Sequence, residues 1–173
     1  MIRREKKIQY DPSETFEEKV LEIGRVTKVV KGGKNLSFRS VAVVGNKNGL
    51  VGVGIGNARE VPDSIRKAIQ DAKKNLIKVP LRRGTLPHEV TAKYKASVVK
   101  ILPAAPGTGI IAGAASRAVL ELAGVQNALS KSYRSRNKLN LARATIVALK
   151  SMKTPADFAK LRDKEVKEII GKE

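Results

Sequence analysis

Apolar and polar positions divide the chain into two halves with different rhythms. "VLEIGRVTKVV" (20–30) alternates with period two, and its parity changes near Gly24, which predicts a strand carrying a bulge. "LSFRSVAVV" (36–44) predicts a second strand, with Leu36, Phe38 and Val44 on one face and Val41 and Val43 on the other. "GNKNG" between them and the next run holds residues that tolerate positive φ and predicts a turn. "LVGVGIG" predicts a third strand, in which Val51, Val53 and Ile55 share a face while Gly52, Gly54 and Gly56 leave the other bare. Glycine weakens a strand, so three in alternation imply that something packs closely on that backbone. A neighbouring element of the same protein and an RNA backbone both fit.

Helices bracket these strands. Asp11, Pro12 and Glu14 carry the chemistry of an N-cap, a first helical position and a capping box, and predict a short helix ending near Val20. "VPDSIRKAIQDAKKNLIKV" places Ile65, Ala68, Ile69, Ala72 and Leu76 at helical spacing as a buried stripe, and gathers Arg66, Lys67, Lys73 and Lys74 on another face. The order helix, three antiparallel strands, helix is that of double-stranded-RNA-binding domains.

"KVPLRRGTLPHEV" breaks the pattern with prolines, a glycine and charge, and predicts a domain boundary. Beyond it, "EVTAKYKA" and "SVVKIL" read as strands. A glycine-rich turn follows, then a helix through about Ala123, a short strand near "NALSKSY" and a helix from about Lys138 to Met152. Two short charged helices close the chain, one opened by Thr154 and Pro155. The second half is therefore β-β-α-β-α plus a tail, with no internal repeat or low-complexity block.

Charge narrows the function. The chain of 173 residues carries 35 Lys and Arg against 16 Asp and Glu, a formal net charge of +19. Residues 1–20 are neutral and 151–173 nearly so, so the excess sits between them; from Thr91 to Ala156 the only acid is Glu121. A solubilising surface mixes both signs; an excess this concentrated calls for a polyanion, and nucleic acid is the one it fits. Absence of cysteine excludes disulfides and thiolate metal sites. No uninterrupted apolar window of about 18 residues is present to span a membrane. "MIRREKKIQYDP" has no apolar run after its charges, unlike a secretory signal.

Catalytic chemistry finds few supports. Gly107, Gly109 and Ala112 match the spacing of a dinucleotide-binding turn between a strand and a helix. The ribose of such a cofactor needs an acid about 20 residues on, and none lies between Glu121 and Asp157. Pro103 and Pro106 also lengthen and stiffen the loop. A helix start with free N–H groups still attracts anions such as RNA phosphate; alternatively Gly113, Ala114, Ala115 and Ser116 permit close packing on a neighbour. His88 is the single histidine, in a proline-preceded linker where solvent exposure is the ordinary outcome, so no second histidine can serve a serine nucleophile. Scarce acids disfavour a paired-carboxylate mechanism and a carboxylate metal site. The reading is a non-enzyme with no cofactor, no metal and no small-molecule substrate. The competing functions are a free duplex-RNA-binding or chaperone-like protein and a nucleotide-dependent enzyme built on 107–112.

The richest local feature is "RVTKVVKGGKN". Arg25, Lys28, Lys31 and Lys34 punctuate a hairpin whose tip is Gly32-Gly33, where the missing Cβ atoms allow a tight turn and close approach to a surface. The bases there suit phosphate contacts, as do Arg66 and Lys67 on the first long helix. "SKSYRSRNK" adds Lys131, Arg134, Arg136 and Lys138 around a strand-to-helix connection. Phe38, Tyr94 and Tyr133 do not make the stacking platform of an RRM, so shape and phosphate readout is expected.

"RVTKVVKGGKNLSFRSVAVVGNKNGLVGVGIGNAREVPDSIRKA" together with "GTLPHEV" and "PGTGIIAGAASRAVLELAGVQNALSKSYRSRNKLNLARATIVAL" closely resembles the bacterial-type small-subunit ribosomal protein five family, over about Glu18 to Met152. The resemblance implies an α+β fold: an N-terminal αβββα double-stranded-RNA-binding-like domain, then a C-terminal α/β domain with a left-handed βαβ crossover. The expected division is a flexible arm over 1–15, the RNA-binding-like domain over 16–80, the α/β domain over 81–152 and a helical tail over 153–173. It implies a cytoplasmic ribosome of bacterial or organellar type, a non-catalytic ribonucleoprotein role in assembly and translational accuracy, and contacts with small-subunit rRNA, with ribosomal proteins four and eight, and with mRNA near its path into the subunit. Lys31, Gly32, Gly33 and Lys34 become rRNA-binding candidates by this resemblance, and Gly107, Gly109 and Arg117 candidates for the interface with protein four. Many relatives carry Asn-Pro-x-Asn before the last long helix, where this chain has Asn137-Lys138-Leu139-Asn140.

Overall fold

The computed structural model describes residues 15–170. The first sheet is built from β1 (Glu17–Val30), β2 (Gly33–Gly45), β3 (Leu50–Ala58) and β4 (Leu76–Lys78), in that order and antiparallel throughout, with α1 (Val61–Lys74) between the last two. The helix expected to run to Val20 is not found in its described part: residues 17–20 are strand, paired from Glu17 with Gly45 to Val20 with Ala42. Its opening at Asp11–Glu14 lies outside the described residues. A ladder partner for the long β2 overrides the helical preference of Glu and Lys here. The bulge is present, but between Val20 and Glu22 rather than at Gly24. It turns Leu21 toward the core, against which that side chain packs.

One face of this sheet receives α1. A Cβ on Gly52, Gly54 or Gly56 would run into the backbone of Ala72, Ala68 or Ser64 on the helix, and for Gly54 the Ala72 Cα lies 2.8 Å away as well. The bare stripe is therefore the seat of α1, not a surface for RNA. The helix answers with its own small residues: Ser64, Ala68 and Ala72 are buried, whereas Ile65 and Ile69 are half-buried at the flanks. So the stripe read from the sequence is rotated toward its small members. Ser64 and Ser40 share a buried hydrogen bond of 2.6 Å beneath the helix. Asp71 accepts the Ile55 N–H at 3.0 Å where β4 no longer pairs with β3.

The second sheet has the order β5 (Val90–Tyr94), β6 (Ser97–Pro103), β8 (Ala128–Arg134), β7 (Ile110–Ile111). β7, too short to register as periodicity, pairs in parallel with β8, and α2 (Ala114–Ala123) connects them as a βαβ unit. α3 (Lys138–Ser151) packs with α2 on the inner face, where Val99 and Ile101 are buried, and Thr145 Oγ1 hydrogen-bonds Ser116 Oγ at 3.0 Å. Asn137 supplies the order that the missing proline would have brought, because its side chain caps α3 by accepting the Asn140 N–H at 3.0 Å.

The two sheets share one core. Val41, Val43, Val51 and Val53, on the face of the first sheet opposite α1, belong to the same buried cluster as Val119, Leu122 and Leu149. The turn after β2 finishes α2: Lys47 N–H donates to Leu122 O at 2.9 Å and Gly49 N–H to Ala123 O at 3.0 Å, partnering carbonyls that a helix end leaves open. The Lys19 ammonium bridges to Glu121 at 2.8 Å, and Arg117 joins the same carboxylate at 2.9 Å. The Lys19 and then the Arg117 hydrogen bond hold the Glu121 carboxyl below its ordinary range.

The connection over 79–89 is anchored rather than loose. Leu86 is buried, Thr85 Oγ1 donates to Asn127 O at 2.7 Å, and the Gly84 carbonyl accepts from Gln126 N–H at 2.8 Å. His88, expected in solvent, is half-buried: Nδ1 lies 2.7 Å from Glu89 O and Nε2 accepts the Lys153 N–H at 3.1 Å. It ties the connection to the tail of α4 (Pro155–Arg162) and α5 (Val166–Ile170), whose start Thr154 and Asp157 close with a capping box.

Candidate nucleic-acid interface

β1 and β2 run on together past the end of β3, whose last pairing is Ala58 with Phe38. From Val26 to Val30 the ladder is a free two-stranded arm of about 17 Å, at roughly 3.4 Å per residue, with Arg25 at its base. Lys31 and Gly32 form the two-residue loop, and Gly32 has φ +92°, a left-handed value that a side chain would oppose.

Alternation sorts the bases onto different faces. Arg25, opposite Phe38, and Lys34, opposite Val29, lie on the α1 side; Lys28, opposite Asn35, lies on the other, and Lys31 sits at the tip. All four are exposed. The arm thus carries positive charge on both faces and its end, the form of a ribbon that enters a groove. Arg39, masked in the sequence by the apolar alternation of its strand, belongs to the Lys28 face at the arm's base. Apolar side chains also point outward here, with Val29 71% exposed.

The structure brings the second basic run to this base. Lys138 Nζ lies 3.8 Å from Glu22, and a cleft of about 170 Å³ lined by Glu22, Gly24, Val26, Arg39, Val41, Asn137 and Leu139 joins arm to loop. Arg134 (φ +65°) and Arg136 are exposed on the approach to α3. A cation in the first turn of a helix opposes the helix dipole, and the Glu22 carboxylate at 3.8 Å offsets that cost for Lys138. Arg66 and Lys67 sit apart from both groups on the solvent side of α1; Arg66 is 3.8 Å from Asp63, and Lys67 reaches the Asn57 carbonyl at 3.5 Å.

The glycine turn is separate again. Gly107 and Gly109 have positive φ, and space is open where a Cβ would stand on either. Asn127 Oδ1 fixes the turn by accepting the Gly109 N–H at 3.0 Å. Arg117 is exposed on α2 beyond it. The close packing open to Gly113–Ser116 is realised by Ala115 and Ser116, which are buried with Ser116 against α3. Among the described residues no group of three or more His, Cys, Asp or Glu side chains converges as a metal site, and no helix is long and apolar enough to cross a membrane.

Residues 16–80 match the N-terminal domain of ribosomal protein S5, and residues 92–162 match its C-terminal domain. The chain belongs to the ribosomal protein S5 family. It is 63% identical over 164 residues to the small ribosomal subunit protein uS5 of Thermotoga neapolitana, covering 95% of this chain and 90% of that protein. The uS5 proteins of Thermosipho africanus and Mycoplasmopsis synoviae are 54% and 50% identical, covering 91% and 90% of this chain and 89% and 62% of theirs. As an S5-family protein it is a structural component rather than an enzyme, and the α+β, two-domain expectation holds. The S5 N-terminal module is the sheet with α1 and the basic arm; the C-terminal module contributes α2, α3 and the Arg134–Lys138 connection.

Proposed function

We propose that this protein is built into the small ribosomal subunit, where it binds small-subunit rRNA and supports assembly and translational accuracy in the cytoplasm. The observation that carries this is the basic arm, whose exposed cations stand on both faces and at the tip of a two-stranded ribbon. A ribbon so charged neutralises phosphates on two sides at once, the dominant source of affinity for RNA. Arg25, Lys28, Lys31 and Lys34 act there, with Gly32 and Gly33 allowing close approach; Lys138, Arg134 and Arg136 extend the same footprint from the α3 connection. Arg66 and Lys67 serve a further phosphate run along α1. The functional units are residues 16–80, 81–152 and a tail over 153–173.

In this reading the Gly107–Gly109 turn and Arg117 face ribosomal protein four, protein eight is a second neighbour, and the protein helps to border the path of incoming mRNA. The open space around the two glycines and the exposure of Arg117 support an interface there. The full chain, tagged and expressed in cells, is expected to sediment with the small-subunit peak in a sucrose gradient at about one copy per particle. Its absence from that peak would sink the ribosomal reading. Arg117→Leu leaves Glu121 paired with Lys19, so the fold is retained; cells carrying it are expected to misread codons at a rate changed by about two-fold or more, with assembly intact. Unchanged misreading would remove Arg117 from the interface.

A further inference from the structure

The second sheet has two faces, and helices cover one of them. The other is open, and its residues follow from the ladder. Lys100 of β6 stands directly opposite Lys131 of β8, and in the next row Val98 stands opposite Tyr133, with Lys93 of β5 on its far side. A third row, Leu102, Leu129 and Ile111, is apolar across β6, β8 and β7. Tyr133 is 49% exposed and Ile111 60%.

Like charges directly opposite on a sheet are destabilising, yet Lys100 and Lys131 occupy such a pair. Glu89 reaches Lys100 at 3.3 Å, while Lys131 has no ion-pair partner among the described residues. Glu89 offsets the charge on Lys100, and an anion at Lys131 relieves the repulsion that remains. Tyr133 lies two residues beyond Lys131, about 7 Å along the strand at roughly 3.4 Å per residue, so a chain holding one phosphate at the lysine pair lays its next base over the ring.

We propose that this open sheet face binds a single-stranded RNA segment: phosphates at Lys100 and Lys131, a base stacked on Tyr133, and the apolar row covering the adjoining nucleotide. A duplex buries its base faces and leaves the ring nothing to stack on, whereas an unpaired strand offers one at every position. One aromatic is fewer than an RRM platform holds, and the lysine pair compensates by charge. This site lies on a different sheet from the basic arm and does not rest on that assignment.

The full chain is titrated against a labelled eight-residue oligouridylate and, separately, against an RNA duplex. Lys100→Gln with Lys131→Gln is expected to weaken oligouridylate binding about tenfold or more and to flatten its log–log salt slope by about 1.4, at roughly 0.7 per phosphate on single strands. Tyr133→Leu, which keeps the face apolar, is expected to lose about tenfold with the slope unchanged, the effect of removing a stacking partner. Both changes leave duplex binding as it was. Oligouridylate affinities equal to the unaltered chain, or equal losses on both RNAs, overturn the proposal. If Lys31→Glu with Lys34→Glu abolishes oligouridylate binding while the sheet variants do not, the strand sits on the arm; this proposal then falls and the arm's role stands. In assembled subunits a photo-reactive phenylalanine analogue in place of Leu129 is expected to cross-link to RNA, and a cross-link to protein alone overturns the assignment.

Discussion

Lys31→Glu together with Lys34→Glu is expected to lower affinity for small-subunit rRNA about 100-fold or more and to flatten the log–log salt dependence by about 1.8. The slope follows from about 0.9 per phosphate contact on duplex-like sites. The affinity follows from two charge-assisted hydrogen bonds, each contributing about 1.5–3 kcal/mol. Both side chains are exposed, one in the loop and one opposite Val29. The ladder that holds the arm uses backbone groups, so the variant keeps its fold and its circular dichroism. Lys31→Ala with Lys34→Ala removes contacts without adding repulsion and is expected to lose less affinity for a similar change in slope. An unchanged slope in both variants would mean that these lysines are only hydrated.

Gly54→Val is expected to destabilise the protein by about 3 kcal/mol or more, the upper range for overpacking a core. A Cβ at this position meets the α1 backbone at Ala68 and Ala72, and main chain has no rotamer by which to yield. Relief requires α1 to lift from the sheet, exposing Ala68, Ala72 and the Ser40–Ser64 hydrogen bond to solvent. For a domain of this size 1 kcal/mol corresponds to about 2–4 °C, so the midpoint is expected to fall by roughly 6–12 °C. Had the glycine stripe faced RNA, the same change would spare the midpoint and weaken binding alone. A midpoint within a degree of the unaltered chain would contradict the packing described above.

These two positions mark where sequence reasoning succeeds and where it stops. The arm was legible because its determinants are local: alternation across 20–30 and 36–44, and glycines near the turn, although the loop is Lys31-Gly32 rather than Gly32-Gly33, since Gly33 already pairs with Val30. Alternation separates Lys28 from Arg25, but which of the two faces lies on the α1 side was hidden, since that is assigned only by the pairing of β2 with β3 and the seat of α1. The strand over 17–20 was hidden by its helix-forming residues, and β7 by having two residues. His88 was assigned to solvent because nothing in its neighbourhood announces Lys153, 65 positions later.

The sequence by itself determined a strongly basic α+β chain with its longer strands, two long helices and capped tail, because periodicity, capping chemistry and charge act between neighbours; the family was legible only through the resemblance of its two long motif blocks. Tertiary structure alone decided what meets what. It seated α1 on Gly52, Gly54 and Gly56, closed the end of α2 with the turn after β2, and drew Lys138 to the base of the arm. It also left one face of the second sheet open, with Lys100 against Lys131. The physical reason is that a bare backbone or a line of lysines advertises a visitor without naming it. Identity comes from which surface arrives within a few ångströms, and that is settled by long-range burial rather than by local pattern.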